Sequence, residues 1–415
     1  MKRSTRRWLS AAALAVAVGV LVPASGAGGS APDEGRGASR WTPRERRFAD
    51  TVLPRKHRTK VIRRKIAPGL IYTKIIDYRV PRRMFILRAD VANQTITFDV
   101  TLADDGLPAR ERVGQMAKEH GAIAAINGDW AVFGTGRPSH PFVEDGRFLQ
   151  APMPRGQSFV VSPDEDRIFI ERPEQTVTAH ETHTGETWRI DRWNRGEPEV
   201  GQIAAFSPLG GTAEMPPRDS CSIQLAPEGP VAFADPTGLK RRYTVAAAGC
   251  THDRMPVGTG AVLSAIPGSA EATRLLSLPV GTDVTIAWDT GFRGIWDVMG
   301  GGGPIVTDGR ETVRPDCTGG NCQAHPRTGI AIHETGRIMM VVVDGRQPRY
   351  SIGMASKAFA QLLVRLGAVK AIMLDGGGSS TMVVDGELVN RPSDGQQRHV
   401  SNAALILPGP DAGDP

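Results

Sequence analysis

The chain has 415 residues, 40% hydrophobic and 23% charged, with 48 Gly and 31 Pro, a composition that excludes a globally disordered chain and a coiled coil. Its formal net charge of +6 is unevenly spread: residues 1–27 hold four basic side chains and no acid, residues 28–65 hold 12 basic against four acidic, and residues 66–415 sum to −6. The basic character belongs to the start of the chain and is no argument for a body that binds nucleic acid.

Residues 1–27 read as a signal peptide: Lys2, Arg3, Arg6 and Arg7, then an apolar run from Trp8 to Val22, then Pro23 and small residues up to Ala27. The run is shorter than the ~20 residues of a stable transmembrane anchor. Arg6-Arg7 also suits a twin-arginine signal, so both export routes stay open. Residues 28–65 lack apolar periodicity and hold the block Arg55-Lys56-His57-Arg58-Thr59-Lys60 followed by Arg63-Arg64-Lys65. They read as a flexible basic arm, either a solubilising linker or a contact for anionic cell-wall polymer or lipid head groups.

Folded structure is expected from about Ile66. Leu70–Ile76, Arg83–Asp90 and Thr95–Leu102 alternate and are rich in β-branched residues, which predicts strands. Glu111–His120 predicts a helix packing Val113 and Met116, and Ala122–Ile126 a buried strand. From Phe142 to Asp289 short strands and turns follow one another. In the last third, Ile330–Ile332, Ile338–Val343 and Ala371–Leu374 predict buried strands, and Met354–Leu366 an amphipathic helix. The class is α+β dominated by sheet, with one mixed catalytic domain over 66–409 and a disordered tail over 410–415.

Four cysteines in an exported chain suggest disulfides. Cys317 and Cys322 bracket Thr-Gly-Gly-Asn, a loop flexible enough to close, which leaves Cys221 with Cys250. A zinc site is the weaker reading, because no paired CxxC pattern is present.

Four glycine-punctuated polar clusters lie beside apolar strands, where a scaffold places functional side chains: Asn127-Gly128-Asp129-Trp130, His325-Pro326-Arg327-Thr328-Gly329, Val343-Asp344-Gly345-Arg346, and Leu374-Asp375 followed by Gly376, Gly377, Gly378, Ser379, Ser380 and Thr381. Consecutive glycines let a backbone approach a ligand and offer N–H groups to an anion. No Gly-Lys-Ser/Thr ending marks a nucleotide-phosphate loop. Arg327 and Arg346 suit bidentate phosphate recognition, and Asn127 suits sugar hydroxyls, with Asp129 offering a further carboxylate for substrate binding. Each cluster alone also fits an ordinary turn; together they suggest one polar pocket.

Taken in order, these clusters with Gly301-Gly302-Gly303-Pro304 and Asn390-Arg391-Pro392-Ser393-Asp394 resemble the phosphodiester glycosidase family over about residues 66–409. The resemblance implies hydrolysis of the glycosidic C1–O bond of sugar-1-phosphodiesters, releasing free sugar and a phosphomonoester. For that reaction Asp375 is the first choice of catalytic carboxylate and Asp344 the second, with His325 to orient a carboxylate or protonate the leaving oxygen. Arg327 and Arg346, with Ser379, Ser380 and the N–H groups of Gly376–Gly378, are assigned to phosphate, and Asn127 to sugar hydroxyls. Asp129, Asp344 and Asp375 are hard oxygen ligands, but no spacing matches a metal loop, so no cofactor or catalytic metal is expected.

Two other readings compete: a phosphodiesterase breaking P–O in the same substrates, and a non-catalytic cell-wall glycophosphate-binding protein. The leader and arm imply a secreted protein, possible substrates being wall glycopolymers, phosphoglycans or glycolipids.

Overall fold

The computed structural model describes residues 59–412 except 133, 151–155, 163, 164, 166, 173, 174, 230–238, 290–296 and 315–318. The expected signal peptide and most of the expected basic arm lie outside the described residues. Strands dominate, and three α-helices occur among the described residues: α1 (Val113–Glu119), α2 (Ala270–Leu276) and α3 (Ser356–Arg365). The sheet-dominated reading of the sequence is what the molecule has.

An eight-stranded antiparallel sheet forms the frame of the site. In spatial order its strands are Thr59–Ala67, Leu70–Asp77, Arg82–Ala89, Ile338–Val343, Arg327–His333, Ala368–Met373, Pro304–Thr307 and Arg310–Glu311. The first strand starts at Thr59, so part of the segment expected as arm is instead the edge of this sheet. The Ile338–Val343 strand, Ile-Met-Met-Val-Val-Val, is buried throughout because both its faces are covered, and β-branched residues fit such a surface. Met340 and Val342 enter one core with Phe85, Leu87 and Ile330. Met339, Val341 and Val343 enter another beneath α3. That helix buries Phe359, Ala360, Leu362 and Leu363 on one stripe.

A five-stranded sheet orders Glu387–Leu388, Met382–Val384, Ala124–Asn127, Asn402–Pro408 and Ile96–Leu102. Helix α1 packs Val113, Met116 and Ala117 on it. Past Pro410 the chain stays attached, since Asp411 donates its N–H to the Gln94 carbonyl at 3.0 Å; the expected disordered tail does not begin at residue 410. A second eight-stranded sheet carries the middle of the chain, including the long Leu239–Thr251 strand, and has its own core around Trp193, Ile223 and Leu263. There Cys221 pairs directly with Cys250 across neighbouring strands and is disulfide-bonded to it, as expected. Cys322 is also disulfide-bonded; its expected partner, Cys317, lies outside the described residues.

Strand direction makes the site. Ala124–Asn127, Ile338–Val343 and Ala368–Met373 end, and Arg327–His333 begins, at one rim, because Arg327 is opposite Val343 and Gly329 opposite Met373. All four polar clusters are thereby delivered to the same edge of the core. Phe359 is fully buried and touches the Gly329 position, where an added Cβ would sit 2.8 Å from its ring. Phe359→Ala is expected to lower unfolding free energy by ~3–5 kcal/mol, read as a fall in urea midpoint; a change below ~1 kcal/mol would show that α3 does not hold this core.

Candidate active site

A cleft of 350 Å³ opens at that rim, lined among others by Trp130, His325, Arg327, Arg346, Asp375, Gly376–Gly378 and Arg398. Three guanidinium groups thus face one partly exposed carboxylate, Asp375. Burial, and then the Asp129 charge, raise the pKa of Asp375; the Ser379 hydroxyl, Arg398 and the Gly376 N–H oppose that shift. Asp375 remains ionisable, but from a position above the usual carboxylate range.

Asn127 does not line the cleft. Its side chain is fully buried and committed: Oδ1 accepts from Thr328 Oγ1 at 2.9 Å and from the Thr381 N–H at 3.0 Å, while Nδ2 donates to the Asp375 carbonyl at 2.7 Å. The expected sugar-binding residue is a brace that fixes the Asp375 backbone. Asp129 is likewise buried: His140 donates its backbone N–H to Oδ2 at 2.7 Å, and its Nδ1 meets Oδ1 at 2.8 Å. Desolvation raises the Asp129 pKa. Gly128 is required here, because a Cβ would collide with Asn402 Oδ1, the atom that accepts the Asp129 N–H.

Asp344 is also removed from the cleft. It is 1% exposed and accepts from Asn390 Nδ2 at 2.9 Å and from the Arg391 N–H at 3.0 Å. Tyr350 adds a further hydrogen bond, yet desolvation dominates and lifts Asp344 to about 6. Asn390 ties it to the Ser380 carbonyl and the Met382 N–H, so Asp344 holds the strand entry behind the glycine loop and is no candidate nucleophile.

The arginines differ. Arg327 is largely engaged with its own surroundings: Nε donates to the Met354 carbonyl at 2.8 Å, and one terminal nitrogen to Gly320 and Gln323 carbonyls at 2.7 and 2.9 Å. Burial and Arg346 lower its pKa to about 10. Arg346 is exposed, donates Nε–H to His325 Nδ1 at 3.2 Å and lies against Gly377. That bond requires a lone pair on Nδ1, so a neutral His325 carries its proton on Nε2. Desolvation, Arg346 and Arg327 all lower the His325 pKa. A neutral Nε2–H donor, rather than an imidazolium, is what His325 brings to the cleft.

In the glycine loop, the Gly377 N–H is taken by the Pro326 carbonyl at 3.0 Å, and the Ser379 and Ser380 N–H groups close onto Gly376 and Gly377. The loop is therefore less an open amide cradle than the sequence suggests. Ser379 and Ser380 are each 1% exposed and neither is among the cleft-lining residues; Ser379 lies 3.5 Å from an Arg398 nitrogen. Gly378 admits the Arg398–Asp394 ion pair, 2.6 Å apart, against the backbone; any Cβ there would strike both side chains. Trp130, a member of the first cluster, lines the cleft; Arg398, which lines it too, and His140, which holds Asp129, are not singled out by the sequence. Among the described residues, the acids close enough to share a cation are Asp99, Asp145 and Asp297, with ligand oxygens within 4.8 Å, a group apart from Asp129, Asp344 and Asp375. An acidic cluster does not by itself define a metal site.

Residues 249–407 match the family model described as phosphodiester glycosidase, and that region of the chain is similar to the family. The chain is 38% identical over 82 residues to the SPbeta prophage-derived uncharacterized protein YomE of Bacillus subtilis (strain 168), covering 20% of this chain and 13% of that protein. It is 37% identical over 68 residues to the Bos taurus N-acetylglucosamine-1-phosphodiester alpha-N-acetylglucosaminidase, covering 16% and 12%. The matches thus span about an eighth of each curated relative. A hypothetical protein from Synechocystis shares the fold with a TM-score of 0.67 at 18% identity, over 84% of this chain and 63% of that one.

The Asp344 environment has a pH signature. With its pKa moved from the ordinary 3.8 to about 6, folded Asp344 keeps a proton that the unfolded chain has lost. Its contribution to stability is therefore full below pH ~4 and falls as pH rises from ~4 to ~6, with a slope of at most ~1.4 kcal/mol for each step of one in pH. Asp344→Asn is expected to flatten this decline, measured as urea midpoints at several pH values in that window. Equal slopes for both proteins would contradict the assignment.

Proposed function

We propose that the cleft hydrolyses sugar-1-phosphodiesters at the C1–O bond, releasing free sugar and a phosphomonoester. The observation that carries this reading is the pairing of one accessible carboxylate, Asp375, with three guanidinium groups in one cleft. A family of hydrolases acting on phosphodiester-linked sugars is the background for it.

A phosphomonoester is a weakly basic leaving group, so stabilising its growing negative charge does more for departure than a strong general acid. Arg346 is exposed at the cleft and suited to that charge; Arg327 adds fixed positive potential, and Arg398, whose charge is partly offset by Asp394, adds less. His325 supplies a neutral Nε2–H donor to a phosphate oxygen. Asp375 stabilises the oxocarbenium-like sugar centre, as nucleophile or as base for water. Its backbone is fixed by the Asn127 amide and its carboxylate by Ser379, so it meets the substrate in one orientation. Trp130, a lining residue, offers an aromatic wall to the sugar ring.

The basic leader, the apolar run and the Cys221–Cys250 disulfide support export, with a secreted or cell-wall setting as the compartment of action. No helix among the described residues is long and apolar enough to cross a membrane.

Asp375→Asn is expected to reduce turnover of a sugar-1-phosphodiester roughly 100-fold or more, and Arg346→Gln to lower kcat about 100-fold, scored as reducing sugar and phosphomonoester released together. The acid limb of the wild-type rate profile is expected above the ordinary carboxylate range, because the Asp375 pKa is raised. Full turnover by a correctly folded Asp375→Asn protein would remove the mechanism.

A further inference from the structure

Beside the cleft, a row of basic side chains crosses one face of the large sheet. Cross-strand partners share a face, and the register places Lys60 opposite Ile76, Ile76 opposite Arg83, and Arg83 beside Asp344. It also aligns Ile62 with Lys74 and Lys74 with Phe85, and puts Arg64 opposite Tyr72. Lys60, Arg64, Lys74 and Arg83 therefore point from one face of three successive strands.

Aromatic rings hold these cations in place. Arg64 lies 5.2 Å from the Tyr72 ring centre and Lys74 5.1 Å from that of Phe85. Arg83 and Arg391 both lie over Tyr350, at 4.9 and 5.3 Å. Tyr350 is anchored by its hydrogen bond to the buried Asp344 carboxylate. Among the described residues neither Arg83 nor Arg391 has a salt-bridge partner, and Arg391 is exposed. Asp77, the acid at the near end of these strands, is bound to Arg79.

The row leads to the cleft. Arg391 follows Asn390, which is bonded to the Ser380 carbonyl behind the glycine loop. The Arg391 carbonyl accepts from Gln347, the neighbour of cleft residue Arg346. Across these three strands, two spacings of ~4.8 Å give the row a width of ~10 Å before Arg391 extends it, wider than one phosphodiester group. A single phosphate is best held by converging donors; cations spread along a line suit a linear polyanion.

We propose that this row is a second binding site for a linear phosphodiester-linked polymer, which it guides toward Arg346 and the cleft. The inference rests on the glycosidase reading for what happens in the cleft, but the binding itself does not depend on turnover. The row names the substrate class as polymeric and polyanionic, and it assigns recognition to the folded sheet rather than to the arm that precedes it.

The test measures binding of the full-length protein to poly(glycerol phosphate) by calorimetry, beside inorganic phosphate and vesicles of phosphatidylglycerol in phosphatidylcholine. Arg83→Gln with Arg391→Gln is expected to weaken polymer binding at least tenfold while turnover of a small sugar-1-phosphodiester stays within twofold. Lys60→Glu with Arg64→Glu, at two exposed positions, is expected to weaken it in the same direction, which guards against a misfolded first variant. If no sugar-1-phosphodiester is hydrolysed at all but the polymer binds and both variants lose it, the row stands and the glycosidase reading falls. Unchanged polymer affinity in both variants, or phosphate or vesicles bound as tightly as the polymer, would overturn the proposal.

Discussion

The Asn127 side-chain amide is the interaction on which the site's geometry depends. It lies where two sheets meet at their common rim, and its three short hydrogen bonds reach Thr328, Thr381 and the Asp375 carbonyl. Each such bond contributes about 1 kcal/mol net, but a buried amide left unpaired costs ~1–3 kcal/mol, so a well-formed set favours one arrangement strongly. The arrangement it selects sets the start of one strand, the end of another and the loop between them at fixed separations. Asp375 inherits its position from that constraint.

Around this brace the charges divide by depth. Asp129 and Asp344 are buried and satisfied from within, by His140 in one case and by Asn390, Arg391 and Tyr350 in the other. Asp375 alone among the three is partly open and lines the cleft with the arginines. Buried carboxylates here shape loops, and the accessible one is left for chemistry. Arg327 follows the same logic, since most of its donors hold backbone carbonyls, whereas Arg346 reaches solvent. The Tyr350 ring links the two levels: its hydroxyl bonds to buried Asp344 while its faces carry Arg83 and Arg391.

Much of this is legible in the residues. Ile338–Val343 is a strand because six apolar residues with β-branched members admit little else, and the four polar clusters are together because their strands end at one rim. What periodicity does not supply is the direction of individual side chains past the strand ends. Asp344 continues the face of Met340 and Val342 and so points inward, a consequence of two-residue alternation that its motif obscures. Arg398 has no local signal at all; its place is made by Gly378, twenty residues earlier, through a contact that only folding reveals. His140 reaches Asp129 from a loop with no strand pattern of its own. Asn127 stands out in the sequence, but its partner does not, since an amide serves sugar hydroxyls and backbone equally well.

The central claim is that this cleft breaks the bond between the sugar and oxygen, with phosphate leaving on its arginines. The most direct measurement is hydrolysis of a sugar-1-phosphodiester in oxygen-18 water, with the label located by mass spectrometry. The account predicts label at the anomeric carbon of the released sugar and none in the phosphomonoester. Label in the phosphate would mean that water attacks phosphorus, and that Asp375 and the arginines serve a phosphodiesterase.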